Sequence, residues 1–131
     1  MSINLSALKQ YQSVDLKASV ATASPHKLIL MLFNGALEAL AKARGAIERN
    51  DIEGRTKQLN KSTDIVMGLR DMLDHEKGGE VAANLDALYD YIVRTMLQAN
   101  RENSAEKVQE VMDLLLTVKQ GWEEMPDEHK Q

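Results

Sequence analysis

The chain has 131 residues, a net charge of -4 and no cysteine. That length fits one domain around one core, and the missing cysteine excludes disulfides, thiol catalysis and thiolate metal sites. Charges of both signs are spread along the chain, without the basic stripe of a duplex-binding protein. Aromatics make up only 4 %, and Leu, Ala, Ile, Val and seven Met carry the apolar content, a composition that favours interlocking helices over sheets.

Residues 1–24 place Ile3, Leu5, Leu8, Tyr11, Val14, Leu16 and Val20 among Ser, Gln, Asn and Lys. The spacing permits a short amphipathic helix but nothing caps it, so the segment reads as a mobile arm that lies on an apolar groove and leaves it again. Leu8, Tyr11 and Val14 are its candidate contacts. No basic stretch leads into an apolar run here, so no signal peptide is expected. The expectation is a soluble protein of the cytosol.

The most informative segment follows. Ser24 before Pro25 is a strong helix start, because the serine oxygen accepts an orphan amide and proline fits the first helical position. Leu28-Ile29-Leu30-Met31-Leu32-Phe33 then runs apolar without a break. It is far too short to span a bilayer, and a helix with one buried side would interrupt it with polar residues. The helix predicted from Pro25 to about Glu48 must therefore be covered on two sides at its beginning. About half of the six residues are expected in the core, the rest being open to a partner.

The second helix is predicted from about Ile52 to Leu73, capped by Asn50-Asp51, with Leu59, Val66, Leu69 and Leu73 as its stripe and Thr63 inside it. Gly78-Gly79 breaks the chain before a third helix, from about Glu80 to Ala99, with Val81, Leu85, Leu88, Ile92 and Ala99 as its seam and Asn100 at its end. Ser104 caps a fourth, from Ala105 to Met125, closed by Pro126. Its seam of Val108, Val111, Leu115, Val118, Trp122 and Met125 alternates by three and four, as a neighbouring helix requires. Short connections make neighbours antiparallel: an all-α, up-down-up-down four-helix bundle over 25–125, with a flexible tail at 126–131.

The stripes are wider than a bundle needs. The apolar arcs of the first, third and fourth helices each cover roughly 180–200°, against about 100° for a core-facing helix. The surplus flanks form a candidate partner-binding groove of Leu28, Met31, Leu32, Tyr89, Val93, Leu97, Met112 and Leu116. Met67 falls off its helix's stripe and Met31 sits at the edge of its own, so both suit adaptable contact with a partner. Trp122 reads as a core anchor at the bundle's end. Tyr89 and Tyr91 project differently from one helix, and the pattern leaves open which of them is core.

Catalytic and metal chemistry has no candidate. A di-iron bundle needs Glu-x-x-His on two helices, but Ala23, Met72 and Pro126 stand three residues before His26, His75 and His129. No histidine lies in mid-helix for phosphotransfer, and no phosphate-binding glycine loop or zinc-protease motif occurs. No enzyme activity, metal or cofactor is expected.

The order and spacing of several pieces resemble the flagellar secretion chaperone family FliS. They are Thr22-Ala23-Ser24-Pro25, Leu28-Ile29, Met31-Leu32, Gly35-Ala36-Leu37, Ala46-Ile47-Glu48 with Asp51, and Leu73-Asp74 with Gly78-Gly79-Glu80. Asn84-Leu85, Leu88-Tyr89-Asp90-Tyr91, Ala99-Asn100, Glu110-Val111, Leu114-Leu115 and Trp122 complete the set. Phe33 stands where that family commonly has tyrosine. The resemblance implies a non-catalytic bundle that binds the C-terminal segment of flagellin, which wraps around it, keeps flagellin monomeric in the cytoplasm and delivers it to the type III export gate through FlhA. Relatives in some lineages also engage FliW or FlgM. The chain is expected to be a monomer or weak homodimer, without nucleic acid or membrane span. The competing reading is a structural homodimeric bundle or an adaptor without a secreted client.

Overall fold

A computed structural model describes residues 24–125. Four helices follow one another: α1 Pro25–Glu48, α2 Ile52–Asp71, α3 His75–Glu102 and α4 Ala105–Glu124. The arm candidates Leu8, Tyr11 and Val14, and the tail with Pro126, lie outside the described residues.

Each helix starts where a short polar side chain takes up orphan amides. Ser24 Oγ accepts from Lys27 N at 3.2 Å, Asp51 Oδ1 from Gly54 N at 2.9 Å and Ser104 Oγ from Lys107 N at 3.2 Å. Two helices end alike. Asn50 and Asn103 take left-handed φ values of 57° and 53°, and the following amides, of Asp51 and Ser104, bond back to Ala46 O at 2.8 Å and Ala99 O at 3.0 Å. Asparagine fills the position glycine usually holds, and the next residue at once caps the next helix. Asn100, expected to end the third helix, stays helical. Its Oδ1 instead accepts from Arg55 Nε at 2.7 Å and Thr56 Oγ1 at 3.2 Å, tying α3 to the start of α2. The second helix closes at Asp71, two residues short of the expected Leu73.

α1 packs on α2 and α4, and α3 packs on the same two, so α1 and α3 are diagonal. Contacts between opposite ends make all neighbours antiparallel. Arg44 Nη1 donates to Gln109 Oε1 from late α1 to early α4, and Trp122 Nε1 donates to His26 O at 3.3 Å from late α4 to early α1. Arg70 Nε donates to Asp86 Oδ1 at 2.6 Å from late α2 to early α3. The core joins Leu28, Ile29, Leu32, Phe33, Ala36 and Leu40 of α1 to Leu59, Val66 and Leu69 of α2, Tyr89, Ile92 and Met96 of α3, and Val108, Val111, Leu115 and Trp122 of α4. Ser62, also buried, donates to Met96 Sδ at 3.3 Å.

Two features of α3 differ from expectation. Its first turn begins at His75, capped by Asp74 Oδ1, which accepts from Glu76 N at 3.1 Å and Lys77 N at 3.0 Å. The break falls after that turn, at Gly79, with φ 52° and ψ -127°. The buried face also follows Ala82, Tyr89 and Met96 together with Ile92 and Ala99, not Val81 and Leu88. With α2 on one side and α4 on the other, α3 buries an arc wide enough to take in Tyr89. Val81 lies on the same face as Ala99, about five full turns away, and is exposed by its place beside the break at the start of the helix. Val81 is 56 % exposed while Tyr89, the largest fully buried side chain, is 1 % exposed.

Candidate functional site

α1 justifies its apolar run by having two neighbours. Leu28, Ile29, Leu32 and Phe33 are buried between α2 and α4, whereas Leu30 and Met31 are half-buried on the two flanks. Three groove candidates are thereby corrected. Leu28 and Leu32 face inward where α2 and α4 close over α1, and Tyr89 supplies the bulk of α3's inner face; none of the three presents a surface. Burial also pushes the Tyr89 phenol above its ordinary pKa. Of the two tyrosines left open by the pattern, Tyr91 is the exposed one, and its hydroxyl donates to Glu110 Oε2 at 2.5 Å on α4.

The remaining candidates stay near the surface, but on separate seams. The Arg44–Gln109 bond sets the register of α1 and α4. Seven residues before Arg44 stands Leu37, and seven after Gln109 stands Leu116, so the two leucines share a level two turns from that bond. Leu30, one heptad before Leu37, and Met112, one turn before Leu116, extend the same seam. Leu30, Leu37 and Met112 are half-buried and Leu116 is 40 % exposed. Along α2 and α3 the register comes from Arg70–Asp86 and Arg55–Asn100. There Val93 is half-buried, Leu97 is 51 % exposed and Met67 is exposed. Met31 lies on the flank of α1 that turns toward α2, the side on which a Cβ at Gly35 would stand 3.4 Å from Ile65 Cδ1.

Sequence reasoning missed a fourth apolar feature. Between the start of α3 and the end of α4 lies a cleft of about 240 Å³, lined by Val81, Leu85, Val118, Gly121, Trp122 and Met125. Val81 and Val118, expected in core seams, line this cleft instead, because nothing closes over the end of the α3–α4 contact there. Trp122 anchors the inner wall. Its ring lies 5.8 Å from that of His26, centroid to centroid, with 42° between planes.

Polar groups around these seams hold helices together. Arg70 bridges Asp86 and, at 3.3 Å, Asp90. Its hydrogen bond to Asp86 holds that carboxyl below the usual carboxylate range and raises the guanidinium's own pKa. Among the described residues no three His, Asp or Glu side chains converge on a metal-sized site, and no helix is long and apolar enough to cross a membrane.

Fold and surface together define a class: an antiparallel four-helix bundle whose apolar surface continues out of the core into its seams. The profile of the family described as flagellar protein FliS matches residues 7–129. The chain is 47 % identical over 119 residues to the flagellar secretion chaperone FliSB of Pseudomonas aeruginosa, covering 91 % of this chain and 94 % of that one. It is 44 % identical over 121 residues to the flagellar secretion chaperone FliS of Salmonella typhimurium (92 % and 90 % covered), and 35 % identical over 123 residues to that of Vibrio cholerae (94 % and 90 % covered). The chain belongs to the FliS family of flagellar secretion chaperones.

Proposed function

We propose that this chain is an export chaperone for flagellin: it binds the C-terminal segment, keeps it from polymerising early and hands it to the export gate through FlhA. It works by binding alone, in the cytoplasm. The observation that carries the reading is the apolar seam of Leu30, Leu37, Met112 and Leu116, together with exposed Leu97 and Met67 on the far side of the bundle. Exposed leucines at regular helical spacing suit a client that brings its own apolar residues in register. Because the seams are separate, the client must wrap from one to the next instead of lying in one groove.

A client disordered when free pays an ordering cost of a few kcal/mol, about 2–5, so a long contact path is required. The N-terminal arm, through Leu8, Tyr11 and Val14, covers part of this surface between clients. As a tethered competitor it acts at an effective concentration in the mM range, roughly enough to shield yet weak enough to be displaced. Calorimetry with the C-terminal segment of the organism's own flagellin tests the central statement, the N-terminal segment being the control. Saturable binding of the first alone supports it, and equal or absent binding of both removes it. Deleting residues 1–18 should raise apolar-dye fluorescence of the free protein; unchanged fluorescence counts against the arm.

A further inference from the structure

α2 carries two arginines that reach across to α3, and they meet different partners. Arg70 meets carboxylates, Asp86 Oδ1 at 2.6 Å and Asp90 Oδ1 at 3.3 Å. Arg55 meets amide oxygens: its Nε donates to Asn100 Oδ1 at 2.7 Å and its Nη1 to Asn103 Oδ1 at 2.8 Å. Two neutral acceptors fix the plane of the guanidinium without cancelling its charge, and its outer N–H groups remain for another acceptor. No carboxylate pairs with Arg55 among the described residues. Asp51, one turn earlier, turns its carboxylate to the cap of α2. Arg101, next to Asn100, is exposed and also forms no ion pair among the described residues. Around them Asp51 and Glu53 are matched in number by Arg49 and Lys57. The charges of Arg55 and Arg101 are therefore left over at one corner of a chain whose net charge is -4.

Exposed aliphatic side chains bracket these charges. Ile52 stands one turn before Arg55 on α2, and Leu97 one turn before Asn100 on α3. The two helices are antiparallel, so Ile52 and Leu97 lie on opposite sides of the Arg55–Asn100 contact, about 9 Å apart along the seam. Ile52 is 64 % exposed and Leu97 51 %. An isolated guanidinium suits any anion, a chain terminus included. Apolar contacts on both sides call for a chain that continues on both sides, with its carboxylate on a side chain between two apolar residues.

We propose that this corner of α2 and α3 binds an aspartate or glutamate within the flagellin C-terminal segment, Arg55 and Arg101 taking the carboxylate while Ile52 and Leu97 take the apolar residues on either side of it. The proposal rests on the reading of this chain as a flagellin chaperone and adds a charge requirement to it. No rearrangement of the bundle is needed, because Asn100 and Asn103 already hold the Arg55 fork in place and binding does not have to order it.

Arg101→Ala removes no contact of the folded chain, so its melting curve by circular dichroism should match that of the unsubstituted protein. Calorimetry with the flagellin C-terminal segment should show roughly fivefold weaker binding at about 0.05 M NaCl, the loss fading at about 0.5 M as exposed charges are screened. Each Asp and Glu of the segment is then replaced in turn by Asn or Gln. One of these substitutions should weaken binding to the unsubstituted chain and weaken it no further in the Arg101→Ala background. Arg55→Lys, which keeps the charge but not the fork, should couple to the same position once its folding is verified. Full affinity of Arg101→Ala at low salt, or losses that simply add at every acidic position, overturns the corner and leaves flagellin binding intact. A segment that does not bind the unsubstituted chain at all overturns both.

Discussion

Leu115 and Leu116 are adjacent on α4, yet one is 0 % and the other 40 % exposed, and this pair tests the distinction between core and proposed binding surface. Leu115→Ala removes fully buried methylenes from a site walled by other helices and should cost about 2–5 kcal/mol, transfer and cavity together. Leu116→Ala loses at most the buried part of the same side chain and leaves no sealed cavity. At about 0.8 kcal/mol per methylene its cost is about 1–1.5 kcal/mol. Urea unfolding followed by circular dichroism reads both. With a slope of about 1.5 kcal/mol per M the midpoints should fall by roughly 1–3 M for Leu115→Ala and by at most about 1 M for Leu116→Ala. Calorimetry with the flagellin C-terminal segment should rank them the other way. Leu116→Ala should weaken binding about tenfold, equivalent to about 1.4 kcal/mol for one lost apolar anchor, while Leu115→Ala, where still folded, should bind as before. Equal destabilisation would show that Leu116 belongs to the core. Unchanged affinity of Leu116→Ala would take the α1–α4 seam out of the client's path.

Trp122→Phe keeps most of the buried ring but removes the indole N–H bond to His26 O, and should cost about 1 kcal/mol, a melting-temperature fall of a few degrees by calorimetry. Because the Asp86 carboxyl is held below its ordinary 3.8, its partnership with Arg70 stabilises the fold fully above that value and is lost as pH falls through the lower folded value. Arg70→Ala should therefore cost up to about 1 kcal/mol near neutrality, the range of a solvent-accessible pair, and much less at about pH 3; an equal loss at both pH values would refute the linkage. Asn103→Gly should change stability by only a few tenths of a kcal/mol, whereas Asn103→Val should cost about 1–2 kcal/mol, because its φ of 53° suits glycine and penalises a branched side chain.

The bundle was legible because caps and apolar runs agree. Ser24-Pro25, Asp51 and Ser104 each start a helix where the sequence says, and the connections are too short for anything but antiparallel neighbours. The inner face of α3 was less legible. A seam drawn through Val81, Leu88 and Ile92 is narrower than the arc a helix with two neighbours buries, and it left Tyr89 on the flank although that ring fills the interior. The Asn100 stop failed because its side chain has a tertiary use, accepting from Arg55 and Thr56, whereas Asn103 takes the left-handed turn. The groove was drawn as one surface, whereas Leu28, Leu32 and Tyr89 are buried and the other candidates lie on separate seams. Helical wheels give each helix's flank separately, and which flanks meet is fixed only by the register between helices.

That register limits what a partner can look like. α1 and α3 are diagonal, so the seam holding Leu37 and Leu116 and the one holding Val93 and Leu97 open on different sides of the bundle. A rigid helix long enough to fill one seam would leave the other uncovered, and two seams each exposing a few side chains hold only part of the affinity apiece. A flexible chain joins them: once one piece is seated, the next binds as an intramolecular step, and the weak contacts of separate seams multiply. A segment ordered over such a path also releases stepwise, since freeing one piece exposes only one seam. Cutting the client between the pieces should therefore lower affinity far more than any single leucine substitution in the bundle. Two peptides that together bind as tightly as the joined segment would show that one seam carries the binding and that the spread of apolar residues around the bundle has another cause.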